Sequence, residues 1–125
     1  MPIFGIGTDI VQVDRMQASL DRGQSLVKRI LTEAEQRQLA QNPRPAHFLA
    51  KRFAAKEACA KAFGRGIASG LSFQHMEVCH DEHGRPLWSF SGTAADWYSE
   101  LQLSQALLTI SDEQHYAVAT VLLER

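Results

Sequence analysis

The pattern of hydrophobic and polar positions at the start of the chain predicts a strand followed by a helix. Residues 3–11 are apolar, rich in β-branched side chains and punctuated by glycine, which is typical of a strand. Residues 14–28 are mostly polar with helical spacing. Gly23 weakens the middle of that helix by about 1 kcal/mol relative to alanine, so the helix can break there.

Two further helices are predicted before the middle of the chain. Thr32 and Glu35 form a capping-box sequence, in which each side chain binds the backbone N–H of the other, so a short helix should begin there. The prolines within 42–45 end it. Over 46–63 apolar residues recur at helical spacing, which predicts a long helix. Gly64 follows it, and a glycine in the left-handed conformation commonly ends a helix.

The second half of the chain predicts two hairpins separated by a helix. Residues 73–80 and 85–91 have strand patterns on either side of a polar turn. Thr93 is a suitable N-cap for the intervening helix, and 106–111 with 116–123 form the last hairpin. The order β-ααα-ββ-α-ββ predicts an α+β fold with a mainly antiparallel sheet packed on helices.

Composition and charge restrict the class of protein. The 125 residues fit one domain, 1–125, which can bury a hydrophobic core without disulfides or a structural metal. The formal net charge of −1 gives no global field that would attract nucleic acid or a membrane surface. The N-terminus lacks a signal-peptide pattern, no run approaches the ~18 apolar residues of a membrane span, and Cys59 and Cys79 lack metal-site spacing. We therefore expect a soluble, cytoplasmic protein with reduced thiols.

The helix over 46–63 carries more charge than solubility requires. Glu57 and Lys61 lie four residues apart on one helical face, so they form either a surface ion pair worth about 0.3–0.5 kcal/mol or part of a site. Arg52 and Lys56 add further cations to an otherwise alanine-rich helix. Small alanines would let a ligand or a second chain approach closely.

Asp9 is the second candidate carboxylate. It ends an apolar strand after Gly5 and Gly7, where missing side chains would let another group approach the backbone. Asp9 either caps a turn or converges with Glu57. In the second case the two carboxylates form an oxygen-ligand site of the kind that Mg²⁺ prefers, completed by waters and substrate phosphates.

Two further features have both a structural and a functional interpretation. The glycine-rich segment 64–70 is either a helix C-cap with a turn or a loop whose backbone N–H groups bind phosphates. Arg15, Arg22 and Arg29 recur every seven residues, which gives either a solvated face or a docking surface for an acidic partner protein.

Several segments together resemble one known family. Residues 5–11 read GIGTDIV and are followed by Arg15, residues 52–64 read RFAAKEACAKAFG, and residues 84–86 read GRP. With the closing pattern over 110–119, these segments resemble the signatures of the holo-acyl-carrier-protein synthases, a family of 4′-phosphopantetheinyl transferases. The resemblance covers nearly the whole chain. One position departs from it, because many members carry a histidine directly after the serine of the final motif, where this chain has Asp112.

The resemblance implies a fold and a reaction. It implies a compact α+β subunit that assembles into a homotrimer with active sites at the subunit interfaces. The implied activity transfers 4′-phosphopantetheine from coenzyme A to a serine of apo-acyl carrier protein and releases adenosine 3′,5′-bisphosphate. The reaction requires Mg²⁺ and supports fatty acid biosynthesis.

The resemblance also implies residue roles. Asp9 and Glu57 hold Mg²⁺, and Lys61 binds a phosphate oxygen and protonates the leaving phosphate. The base that takes the serine proton is either Glu57 or a water on the metal. Arg15 and Arg22 dock the carrier protein. The implied coenzyme A ligands are Arg52, Lys56, Lys61, Gly64, Arg65, Gly84, Pro86 and Ser111. His115 is given no role.

Three other functions fit parts of the pattern. A nucleotide-binding regulatory module would keep phosphate contacts but would not need the Asp9–Glu57 pair or a docking surface. A magnesium-dependent phosphohydrolase of coenzyme A would use the same residues with water as nucleophile. A relative that modifies carrier domains of large synthases would usually have two such halves in one chain.

Overall fold

A computed structural model describes residues 2–67 and 69–125. These residues form five strands, five α-helices and one short 3-10 helix. In chain order these are β1 (Ile3–Gln12), α1 (Val13–Arg22), α2 (Ser25–Ile30), α3 (Glu33–Gln41), α4 (Pro45–Phe63), the 3-10 helix (Phe73–His75), β2 (Met76–His80), β3 (Pro86–Phe90), α5 (Gly92–Glu100), β4 (Gln105–Asp112) and β5 (Tyr116–Glu124).

The strands form two antiparallel sheets. Strands β1, β5 and β4 make a three-stranded sheet in that order, and β2 pairs with β3 in a separate hairpin. The predicted α+β class and antiparallel pairing are confirmed.

Helix α4 lies directly against the inner face of the three-stranded sheet. A Cβ built on Gly5 would lie 2.0 Å from the carbonyl oxygen of Ala62, and one on Gly7 would lie 2.0 Å from that of Ala58. Only glycine therefore allows the two backbones to approach this closely. The contact places β1 against the second half of α4, and the candidate carboxylates lie on these two segments.

The opposite face of this sheet is open and carries apolar side chains on both sides of a row of threonines. Side chains alternate between the faces of a strand, and Gly7 faces α4, so Ile6 and Ile10 point away from it. Their exposed fractions are 65% and 62%. We name the outward set of Ile6, Ile10, Leu107, Val118 and Leu122 the outer face.

Gly23 adopts φ +132° and separates α1 from α2, so the helix predicted over 14–28 breaks where the sequence allowed it. Two other predicted elements differ in the structure. Residues 73–75 form a 3-10 turn instead of a strand, because the Ser72 hydroxyl accepts from the Gln74 N–H. Helix α5 begins at Gly92, so Ser91 and not Thr93 is the N-cap residue.

Other predicted features match the structure. Thr32 and Glu35 form the capping box at the start of α3. Gly64 ends α4 with φ +81°. Within the predicted loop 64–70, Ala68 lies outside the described residues. Cys59 and Cys79 are free thiols. Of the helices in residues 2–67 and 69–125, none has the length and apolar character needed to cross a bilayer.

Candidate active site

Asp9 and Lys61 meet where β1 lies against α4. Asp9 faces α4 because it is two residues beyond Gly7, and side chains alternate along a strand. The Lys61 ammonium lies 3.1 Å from Asp9 Oδ1 and donates to the Thr8 carbonyl oxygen at 3.0 Å. The Lys61 side chain is 53% exposed, so its ammonium remains accessible from solvent while it is anchored at one side.

Glu57 lies one helical turn before Lys61 and is half-buried. Burial raises its pKa, and the negative charge of Asp9 raises it further. Lys61 and Arg29 act in the opposite direction. Two carboxylates that repel each other in this way are a favourable site for a divalent cation.

The donor set fits Mg²⁺. Asp9 and Glu57 supply the hard oxygen ligands that this ion prefers, and Mg²⁺ usually keeps several waters and substrate phosphates as its other ligands. Across the part of the chain that the structure describes, no group of three or more His, Cys, Asp or Glu side chains could hold a metal.

Arg29 is a neighbour of this site, whereas the sequence grouped it only with a possible docking surface. Its guanidinium lies 5.6 Å above the centroid of the Phe73 ring, and its charge lowers the pKa of Glu57. The seven-residue spacing groups Arg29 with Arg15 and Arg22. The break at Gly23 separates them, because Arg15 and Arg22 lie on α1 and Arg29 lies on α2.

The structure contradicts the interpretation of Lys56 as a coenzyme A ligand. Its side chain is completely buried. The ammonium donates to Glu35 Oε1 at 2.6 Å, to the Ile30 carbonyl at 2.6 Å and to the Phe73 carbonyl at 3.1 Å. Because all three N–H groups are used inside the fold, none remains for a phosphate.

Arg52 belongs to the same buried cluster. Its Nε lies 3.7 Å from Glu35 Oε2, and its guanidinium carbon lies 4.4 Å from the Phe48 ring centroid. Burial lowers the pKa of Arg52 and of Lys56, while Glu35 opposes that change. The structure therefore does not bring Arg52 to the Asp9–Glu57 site.

Four further predicted coenzyme A ligands lie at the end of α4 and around the turn between β2 and β3. Gly64 is exposed at the end of α4, and the Arg65 guanidinium lies 4.7 Å from the Trp97 ring centroid. Gly84 adopts φ +82° in the turn that joins β2 to β3, and Pro86 begins β3.

Ser111 lies on the other side of the three-stranded sheet from Asp9. It pairs with the outward-facing Val118, whereas Asp9 pairs with the buried Ala119. Asp112 is exposed and ends β4. A single chain therefore does not gather all the predicted ligands around one cavity.

Arg15 and Arg22 are both exposed on α1. They border a groove of about 310 Å³ whose floor includes Met16, Ser19 and Leu26. The two cations thus frame a shallow, partly apolar surface beside α2, whose last turn carries Arg29.

Comparison with known proteins identifies the family. The family model described as the 4′-phosphopantetheinyl transferase superfamily matches residues 5–121. The chain belongs to the 4′-phosphopantetheinyl transferase superfamily. The match includes the β1–α4 contact and every residue of the Asp9, Glu57 and Lys61 group.

Individual members of the superfamily agree with this assignment. A holo-[acyl-carrier-protein] synthase of Idiomarina loihiensis is 62% identical over 99% of this chain and 98% of its own length. The crystal structure of the holo-[acyl-carrier-protein] synthase of Neisseria meningitidis has a TM-score of 0.94 at 40% identity, over 99% of this chain and 100% of that one. A Bacillus anthracis holo-(acyl-carrier-protein) synthase in complex with CoA (3′,5′-ADP) has a TM-score of 0.82 at 38% identity, over 98% and 96%.

Proposed function

We propose that the chain transfers 4′-phosphopantetheine from coenzyme A to a serine of apo-acyl carrier protein and releases adenosine 3′,5′-bisphosphate. The observation that carries the proposal is the convergence of Asp9, Glu57 and Lys61 at the β1–α4 contact. Full-length similarity to holo-[acyl-carrier-protein] synthases supports it. The transfer serves fatty acid biosynthesis, and a cytoplasmic location is supported by the free thiols of Cys59 and Cys79.

The reaction is an in-line displacement at phosphorus. The serine oxygen attacks the β-phosphorus of coenzyme A, and the bond from that phosphorus to the bridging oxygen breaks. Mg²⁺, held by Asp9 and Glu57, would neutralise charge on the pyrophosphate. Reactions of this kind depend mostly on positioning and on electrostatic stabilisation.

The chain's own side chains have defined tasks in this displacement. The exposed ammonium of Lys61 donates to a phosphate oxygen and gives a proton to the leaving phosphate. The Glu57 carboxylate, one helical turn before Lys61 on α4, is placed to accept the serine proton. Asp9 also orients Lys61 through their 3.1 Å contact.

The acidic carrier protein docks on α1. The exposed Arg15 and Arg22 frame the groove beside α2, and opposite charges steer association. We predict that Arg15→Ala and Arg22→Ala raise the KM for carrier protein more than they lower kcat, and that they weaken its salt dependence. Asp21→Ala, on the same exposed helix, is the control. Unchanged carrier kinetics and salt dependence in the arginine variants would rule out this docking surface.

A homotrimer completes the site. The proposed nucleotide ligands Gly64, Arg65, Gly84, Pro86 and Ser111 would then come from two neighbouring subunits. The separation of Ser111 from Asp9 on opposite sheet faces supports this arrangement, as does the exposed apolar outer face. A cyclic trimer uses head-to-tail contacts, in which different surfaces of adjacent subunits meet.

The deciding experiment is mass spectrometry of an apo-acyl carrier protein incubated with this protein, coenzyme A and Mg²⁺. We expect one phosphopantetheine added to the carrier serine, lost with EDTA and in Asp9→Ala and Glu57→Ala. Glu33→Ala, an exposed carboxylate on α3, is the control. Release of phosphopantetheine without a carrier would instead identify a phosphohydrolase. Binding of coenzyme A without any transfer would identify a binding module.

A further inference from the structure

Lys56 is a buried cation that the proposed chemistry does not use, and its contacts are unusual. It directly precedes Glu57 on α4, yet its ammonium points into the core. Besides Glu35 it binds two main-chain carbonyls from separate parts of the chain, those of Ile30 and Phe73. An uncharged residue could fill the same space, so packing alone does not explain the ammonium. Its role lies in its hydrogen bonds to the two carbonyls or in its ion pair with Glu35.

Both carbonyls belong to residues that hold Arg29 in place. Ile30 follows Arg29 at the end of α2, and Phe73 supplies the ring beneath the Arg29 guanidinium at 5.6 Å. One ammonium therefore fixes both the backbone that carries the guanidinium and the ring on which it lies.

The same ring connects Arg29 to the face of α4 that carries the active site. The centroids of the Phe73 and Phe53 rings are 5.7 Å apart. Phe53, Glu57 and Lys61 follow one another at four-residue spacing, so they share one face of the helix. Arg29, held over Phe73, lies near this row, and its charge acts on Glu57.

We propose that Lys56 is a positioning residue, whose ties to the carbonyls of Ile30 and Phe73 hold the Arg29 guanidinium beside the Asp9–Glu57 site. Arg29 then presents a permanent positive charge to the pyrophosphate of coenzyme A. The inference rests on the proposed transfer reaction and adds two residues to it. Arg29 contacts the substrate, and Lys56 acts through Arg29.

Glu35 allows positioning to be separated from stability. Glu35 Oε1 accepts from the Thr32 N–H and from Lys56, and Oε2 accepts from the Val78 N–H. Glu35→Gln replaces one of these acceptors with an NH₂ group and removes the charge partner, so it lowers Tm. It leaves the ties from Lys56 to Ile30 and Phe73 in place.

The test compares Lys56→Met, Glu35→Gln, the charge-neutral double variant of these two, and Arg29→Gln. All assays run below the lowest Tm of the set. We expect Lys56→Met, the charge-neutral double variant and Arg29→Gln to lower kcat by at least about tenfold. Glu35→Gln should keep kcat within about twofold despite its lower Tm. The combination of Lys56→Met with Arg29→Gln should be no slower than the slower single variant.

A second readout does not depend on activity. In ¹⁵N-arginine-labelled protein, the heteronuclear NOE at Arg29 Nε should report an ordered side chain in the wild type and in Glu35→Gln, and a mobile one in both Lys56→Met proteins. If kcat follows Tm across the set, or Arg29 stays ordered without Lys56, Lys56 is only structural. If the wild type transfers no phosphopantetheine while the NOE pattern holds, the proposed function fails and the positioning does not.

Discussion

Two lysines on one helix show how surroundings determine a residue's role. Lys56 and Lys61 are five residues apart on α4, which turns them to different sides of the helix. Lys61 is 53% exposed beside Asp9, whereas Lys56 is fully buried beside Glu35. The same ammonium group is therefore available to a substrate phosphate in one case and is a structural tie in the other.

Removal of the exposed ammonium tests its catalytic role. Lys61→Ala should lower kcat by about 10²–10³-fold, the usual cost of losing one preorganised donor to a developing charge. Lys51→Ala removes a cation from the same helix away from Asp9 and should leave kcat unchanged. The measurement is single-turnover transfer to apo-carrier at saturating coenzyme A. An equal loss in both variants would mean that only the net charge of the helix matters.

The raised pKa of Glu57 predicts that this carboxylate lowers the stability of the fold that it serves in the reaction. Burial and Asp9 raise its pKa, so the ionised form destabilises the metal-free fold, and this cost disappears as the pH falls through the folded pKa. In EDTA, Glu57→Gln should therefore have a higher Tm than the wild type near pH 7, with a difference that shrinks on acidification. Saturating Mg²⁺ should raise only the wild-type Tm. Thermal melts over a pH series measure both effects, and a lower Tm for Glu57→Gln in EDTA would contradict them.

The sequence predicts some of these roles and not others. The four-residue spacing of Glu57 and Lys61 is enough to place both side chains on one face of a helix. Nothing in that spacing shows which side of α4 is buried, so the sequence alone assigns Lys56 to a phosphate. The role of Arg29 has no sequence signal, because its neighbours, Phe73 and Glu57, are distant along the chain and meet it only through tertiary packing.

At the scale of elements, the contact between β1 and α4 fixes the distance between the two carboxylates. Gly7→Ala would bring a Cβ to 2.0 Å from the Ala58 carbonyl oxygen, so the strand and helix must separate. We expect a loss of about 3 kcal/mol in the free energy of unfolding. We also expect reduced Mg²⁺-dependent transfer in the folded fraction, because Asp9 moves away from Glu57.

Chemical denaturation and the transfer assay together measure these effects. Gln12→Ala, at the exposed end of the same strand, is the control for substitution within β1. Normal stability and activity in Gly7→Ala would show that the sheet can shift without consequence and would contradict this account of the glycine.

The boundaries of elements are predictable where a local signal sets them. The Thr32–Glu35 capping box and the left-handed Gly64 depend on residues within one turn. The turn over Phe73–His75 also has a local signal, the Ser72 hydroxyl that accepts from the Gln74 N–H. The start of α5 is not predictable in this way, because it depends on a contact between elements. Gly92, for example, lies so close to the His75 ring that a Cβ there would be 2.6 Å from it.

At the scale of the whole molecule, the outer face of the sheet is the feature that one chain leaves unexplained. Ile6 and Ile10 are more than half exposed, whereas the inner residues of the same strands are buried against α4. Exposed large apolar side chains on both sides of a threonine row are what an interaction surface would present. In the proposed trimer it meets neighbouring subunits, which also brings the separated ligands such as Ser111 toward a neighbour's Asp9.

A charge introduced on the outer face tests whether this face forms the trimer and whether the trimer completes the site. Ile10→Asp places a carboxylate in the interface without touching the core, so it should yield a folded monomer in sedimentation velocity with little transfer activity. Leu87→Asp, at an exposed apolar position on β3 outside this face, should remain trimeric. A trimeric Ile10→Asp would exclude the outer face as the interface. A fully active monomer would show that one chain completes the site, and the coenzyme A ligands would then have to be sought around Asp9 within a single subunit.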